Sequence, residues 1–72
     1  MSPKLPSLGS KEVIELIQRK GFTLVSQKGS HAKYRNNEGR TTIVPIHSSG
    51  NIGPGLLLKI LRDADIDPDS LR

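Results

Sequence analysis

Apolar positions along this chain change period twice, and each change marks a boundary. Over residues 10–20, Val13, Ile14, Leu16 and Ile17 share one stripe at helical spacing, with Glu15, Gln18 and Arg19 away from it. Ser10 suits the N-cap, where a hydroxyl accepts from the unpaired N–H groups of the first turn. Glu12 suits the positive end of the helix dipole. Gly21 can take the left-handed conformation that closes a helix, letting Phe22 fold back on the last turn. The pattern predicts a helix over residues 11–20. Ahead of it, Pro3, Pro6 and Gly9 predict an extended arm over residues 1–9.

From Phe22 the period shortens to two. Phe22 and Leu24 alternate with Thr23 and Val25, predicting a strand over residues 22–27. Residues 31–35 alternate more cleanly, with Ala32 and Tyr34 on one face and His31, Lys33 and Arg35 on the other. Asn36, Asn37, Glu38 and Gly39 form a tight hairpin connection. Residues 40–46, rich in β-branched side chains and interrupted by Pro45, predict the third strand.

Ser48, Ser49, Gly50 and Asn51 predict a polar loop, after which the helical period returns. Pro54 suits the first turn of a second helix, whose apolar face is Leu56, Leu57, Ile60, Leu61 and Ala64. Asp67 and Pro68 open a last short turn near Leu71. The reading is an α+β domain over residues 10–72 in the order α-β-β-β-α, with a three-stranded antiparallel sheet. Both helices must cover the same sheet face, which leaves His31, Lys33 and Arg35 on the open one. The chain has no internal repeat, low-complexity segment or linker that would divide it.

Composition narrows the picture. A domain of 72 residues buries only about 60% of its unfolded surface, so its folding margin is small. There is no cysteine, which excludes a disulfide framework and a thiolate metal site, and Phe22 and Tyr34 are the only aromatics. Eleven Lys+Arg against seven Asp+Glu give a net charge of +4. Arg19, Lys20, Lys28, Lys33, Arg35 and Arg40 cluster in the middle of the chain with Glu38 as the one acid between them. Asp63, Asp65, Asp67 and Asp69 dominate the end. A basic middle set apart from an acidic tail points to a polyanion partner such as RNA. A merely well-solvated surface is the alternative on charge alone. No apolar run approaches the ~20 residues that span a bilayer, and residues 1–9 hold no signal-peptide core. No membrane association and a cytoplasmic location are expected.

The most telling segment runs from Gln27 through Lys28, Gly29, Ser30 and His31 to Lys33, Tyr34 and Arg35. A Gly-Ser turn lets backbone approach a ligand closely and offers N–H groups to a phosphate. A neutral imidazole at position 31 can take a proton from a ribose 2′-hydroxyl, and its cation can return one to a leaving oxygen. Lys28, Lys33 and Arg35 can hold the phosphate and stabilise charge building on it. A histidine at a strand start is also compatible with an idle surface role, and the residues alone leave both readings open. His47 is a second acid/base candidate or a turn residue. Tyr34 shares a face with Ala32 and reads as core; a base-stacking role would need the other face. Two histidines sixteen positions apart with only Glu38 nearby make no convincing metal site, so no metal and no cofactor are expected. The glycines at 50, 53 and 55 lack the Lys-Ser/Thr ending of a phosphate loop.

These residues resemble a known family. Gly21-Phe22, the run from Gln27 to His31, Lys33-Tyr34-Arg35, Gly39-Arg40, Val44-Pro45, His47, and Gly55-Leu56 leading into Lys59-Ile60-Leu61-Arg62 are similar to HicA toxins, also called YcfA-like proteins. The similarity covers nearly the whole chain. It implies a fold like a double-stranded-RNA-binding domain, mRNA interferase activity with His31 as the catalytic residue, and a HicB-type antitoxin as partner. Many members carry a second histidine where this chain has Ala32, and a glycine where it has Asp65. The expectation is the toxin of a type II toxin–antitoxin system, a metal-independent endoribonuclease. The alternatives are a non-catalytic RNA-binding module using the same basic face, and an inactive partner of an antitoxin.

Overall fold

The computed structural model describes residues 7–46 and 50–71. The elements are α1 (Ser10–Arg19), β1 (Thr23–Lys28), β2 (His31–Arg35), β3 (Thr41–Pro45), α2 (Pro54–Asp63) and a closing 3₁₀ turn (Pro68–Leu71). This is the α-β-β-β-α order, and it is consistent with a double-stranded-RNA-binding-domain-like fold. The strands form one antiparallel sheet in the order β1-β2-β3.

The first helix starts one residue earlier than its pattern predicts. Gly9 is the N-cap and Ser10 the first helical residue. Glu12 accepts a hydrogen bond of 3.1 Å from the Gly9 N–H, closing the first turn from the carboxylate side. Ser10 is buried, and its hydroxyl donates to the Pro45 carbonyl. A hydroxyl at the buried end of the helix is better used on a core acceptor than on N–H groups that water can reach. The arm preceding it is partly tied down: Leu8 packs against the core, and its carbonyl accepts from Ile52 N–H at 2.8 Å. Residues 1–6 of that arm lie outside the described residues.

Both helices end in the same way. Phe22 N–H reaches back to the Ile17 carbonyl at 3.1 Å and Gly21 N–H to that of Gln18 at 3.0 Å, with Gly21 at φ +91°. At the end of α2, Ile66 N–H bonds the Leu61 carbonyl at 2.8 Å and Asp65 N–H that of Arg62 at 3.1 Å, with Asp65 at φ +57°. Each is the paired back-bonding that satisfies the last carbonyls of a helix. In the second, an aspartate occupies the left-handed position that glycine takes in the first.

β2 is the central strand and behaves as its alternation predicts. Ala32 and Tyr34 are buried with Val44 and Thr42 of β3, while His31 and Arg35 are exposed. Val13 and Ile17 of α1 and Leu57, Ile60 and Leu61 of α2 complete the core from the same side. The one buried threonine, Thr42, donates its hydroxyl to the Ile60 carbonyl at 3.4 Å, joining β3 to α2.

β1 departs from expectation. It begins at Thr23, after the buried Phe22, and every residue in it is exposed, Leu24 at 52% and Val25 at 45%. The helices lie over β3, so nothing covers the far edge of the sheet on either side. The register slips between Leu24 and Ser26, a bulge of the kind that blunts an unpaired edge. β3 is shorter than residues 40–46 because Arg40 closes the preceding turn, its N–H donating to Asn36 Oδ1 at 2.9 Å. Leu56 is exposed at 41% and lies outside the buried face of α2. His47, Ser48 and Ser49 lie outside the described residues.

Candidate functional site

The Gly29-Ser30 turn joins β1 to β2 in two residues, with Lys28 and His31 as the facing pair at its base. Gly29 has φ +55° and Ser30 does not share the positive sign. This matches the tight hairpin turns whose first central residue favours glycine and whose twist suits paired strands. A Cβ at Gly29 would meet nothing within 4 Å, so its requirement is backbone conformation and not space. The Ser30 carbonyl accepts from Ile46 N–H at 2.6 Å, which fixes the turn to the strand on the other side as well. His31 is thus held between two neighbours, Lys28 in β1 and Pro45 in β3.

The solvent face of the sheet carries His31, Lys33 and Arg35 from β2, with Lys28 and Ser26 facing from β1 and Ile43 from β3. Lys28 and Lys33 wall one shallow hollow with His31, of ≈ 260 Å³, to which Ser26 and Ile43 also contribute. Arg35 is on the same face but four positions further along β2, about 13 Å away at the rise of an extended strand. The site residues expected from sequence therefore divide. His31, Lys28, Lys33 and the Gly29-Ser30 turn come together, Arg35 stands apart along the strand, and His47 lies outside the described residues. Tyr34 is buried at 5% exposure on the opposite face, which fits the core reading.

His31 also borders a second depression that the sequence did not suggest. This groove of ≈ 290 Å³ lies between β3 and α2, with Ile43, Pro45, Leu56 and Ile60 among its lining. Two signals for it were present in the chain. Ile43 is an apolar residue on the outward side of β3, flanked by the inward Thr42 and Val44. Leu56 is one leucine more than the buried stripe of α2 uses.

Among the described residues, no three His, Cys, Asp or Glu side chains gather in a group that could hold a metal ion. No described helix is long and apolar enough to cross a membrane. The described residues thus place a basic strip with one exposed imidazole on the open face of an α-β-β-β-α sheet. The family model described as the HicA toxin of bacterial toxin-antitoxin systems matches residues 10–66. The chain belongs to the HicA toxin family. The match spans α1, the whole sheet and α2, and it includes every HicA-like segment from Gly21 to Arg62. Membership makes the chain a toxin-type protein of a toxin–antitoxin system. No curated protein matches it. Asp65 takes the left-handed backbone that a glycine would, so the helix end keeps its geometry.

Proposed function

We propose that this chain is an endoribonuclease that cleaves mRNA at His31 without a metal ion, as the toxin of a type II system neutralised by a HicB-type antitoxin. The observation that carries the reading is the placement of an exposed imidazole in one hollow with the ammonium groups of Lys28 and Lys33, on a face with no core to serve.

The chemistry is phosphoryl transfer within the RNA. The imidazole takes the proton of a ribose 2′-hydroxyl, the 2′-oxygen forms a bond to the adjacent phosphorus, and the bond from phosphorus to the 5′-oxygen breaks. The departing 5′-oxygen takes a proton from a second donor, for which His47 is the candidate. Products carry a 2′,3′-cyclic phosphate, or a 3′-phosphate after water opens it. Lys28 and Lys33 hold the phosphate and offset the charge that grows on its oxygens. The Gly29-Ser30 backbone shapes the approach, and Arg35 grips the strand at a more distant phosphate.

The test is incubation of the purified chain with RNA in EDTA. The expected result is cleavage by the wild type and a loss on the order of 10²-fold or more in His31→Ala, the usual scale for a general base. Equal cleavage by both would remove His31 from the mechanism, and cleavage abolished by EDTA would remove its metal-free character. RNA affinity without cleavage, surviving His31→Ala, would select the binding module, since the lysine strip alone suffices to grip phosphates.

A further inference from the structure

His31 and Ile43 line both of two adjoining hollows, and the rest of the two linings differs in kind. Lys28 and Lys33 wall the one on the open sheet face. The other turns around the free edge of β3, and its floor is apolar, made by Ile43 and Pro45 of β3 and Leu56 and Ile60 of α2. Residues 56, 59, 60 and 63 fall on one side of a helix, and that side of α2 faces the groove. Lys59 and Asp63 form a polar rim, joined at 3.1 Å. Ile43 and Leu56 are 50% and 41% exposed, so neither is committed to the core.

We propose that this groove receives the unpaired base of the nucleotide whose 2′-hydroxyl meets His31. The inference rests on the nuclease reading above and deepens it. A strand whose phosphates follow Lys28 and Lys33, with one ribose at His31, places that sugar at the junction of the two hollows. Its base then has the cationic hollow or the apolar groove to enter. The cationic side is taken by phosphate, and a base face gains from apolar side chains on which it can lie. The rim brings the Lys59 ammonium, the Asp63 carboxylate and the Thr41 hydroxyl to where base-edge donors and acceptors would sit. A base held in a duplex cannot swing into the groove, so the cut linkage is single-stranded.

The test pairs a change in the protein with a change in the RNA. A short RNA with one mapped cut site is compared with the same RNA carrying an abasic ribonucleotide at that position, for wild type and for the Ile43→Ala/Leu56→Ala double variant. Loss of a stacked base is expected to slow wild-type cleavage by about tenfold, in line with single-base stacking contributions. The double variant is expected to lose a similar factor on the intact RNA and nothing further on the abasic one. Wild-type cleavage indifferent to the missing base overturns the proposal, as does a variant that loses the same factor on both RNAs. If the variant melts below the growth temperature, the wild-type comparison alone decides. A variant that cleaves and discriminates like wild type but escapes neutralisation by its antitoxin would make the groove a protein seat and also overturn the proposal. No cleavage of any RNA by wild type removes the nuclease reading and this proposal together; cleavage without base dependence removes only this one.

Discussion

Ser10 opens α1 and gives its hydroxyl to the carbonyl of Pro45, the residue that faces His31 across the sheet. This hydrogen bond links the start of the first helix to the strand end beside the candidate catalytic residue. Removing the donor takes this partner from the carbonyl of a buried residue. Ser10→Ala is expected to cost about 1–3 kcal/mol. In a domain of this size each kcal/mol lowers the midpoint by about 4–8 °C. Thermal melts followed by circular dichroism check it; an unchanged midpoint would mean that water replaces the bond.

Asp65 should yield stability when replaced by glycine. It holds φ +57° at the end of α2, where an L side chain crowds its own backbone and glycine does not. Asp65→Gly is expected to stabilise the chain by roughly 0.5–1 kcal/mol, with RNA cleavage unchanged because the residue lines neither hollow that His31 borders. Asp65→Val, β-branched at the same angle, is expected to destabilise it. Chemical denaturation of the pair reads both signs.

Gly29 asks for the opposite treatment. Its φ of +55° is what the two-residue turn needs, and the space around it is open. Gly29→Ala is expected to cost about 1 kcal/mol through backbone strain alone. Gly29→Asn, which tolerates the same conformation, should recover much of that loss. Equal melting of the two variants would show that the turn relaxes to another geometry.

The lysines of the hollow and the distant arginine should differ in how they act. Lys28→Ala, Lys33→Ala and Arg35→Ala are each expected to flatten the salt dependence of RNA affinity, by about 0.7 in slope per lost contact to a single strand. Only the two lysines share the hollow with His31, so they should also lower the cleavage rate at saturating RNA, whereas Arg35→Ala should chiefly weaken binding. Fluorescence anisotropy across a salt series and single-turnover cleavage separate the two effects. A rate loss in Arg35→Ala equal to that in Lys33→Ala would bring Arg35 to the reacting phosphate.

Much of this architecture was legible in the residue pattern, for reasons that differ by element. β2 could be read because it is the central strand with one face in the core, so Ala32 and Tyr34 had to alternate with polar neighbours. β1 misled because alternation predicts burial only where something covers the strand, and here the core formed with the helices takes in β3 and β2 but no residue of β1. Ser10 carried a true helix-start signal, but its hydroxyl found a partner 35 positions away, a choice that local propensity does not encode. His31 and Lys33 shared a face by the alternation of β2, whereas Lys28 joins them because β1 runs one residue past the predicted strand and pairs it with His31. The groove did not, because it exists only where α2 crosses the edge of β3, and no stretch of sequence contains both walls. Arg40 is a similar case: counted among the basic residues, it spends its guanidinium on the Arg62 and Asp63 carbonyls at 3.0 and 3.1 Å, capping α2.

His31 belongs to the middle strand, with a hydrogen-bonded neighbour on each side and the Ser30 carbonyl anchored just before it. Local opening there has to break the pairing to both neighbouring strands. The backbone that carries the imidazole is therefore tied on both sides, whichever rotamer the exposed ring takes. Under the nuclease proposal, control of this chain would work by occlusion: a silencing partner would sit over a surface already assembled by the sheet, and activity would return once that cover is degraded or leaves.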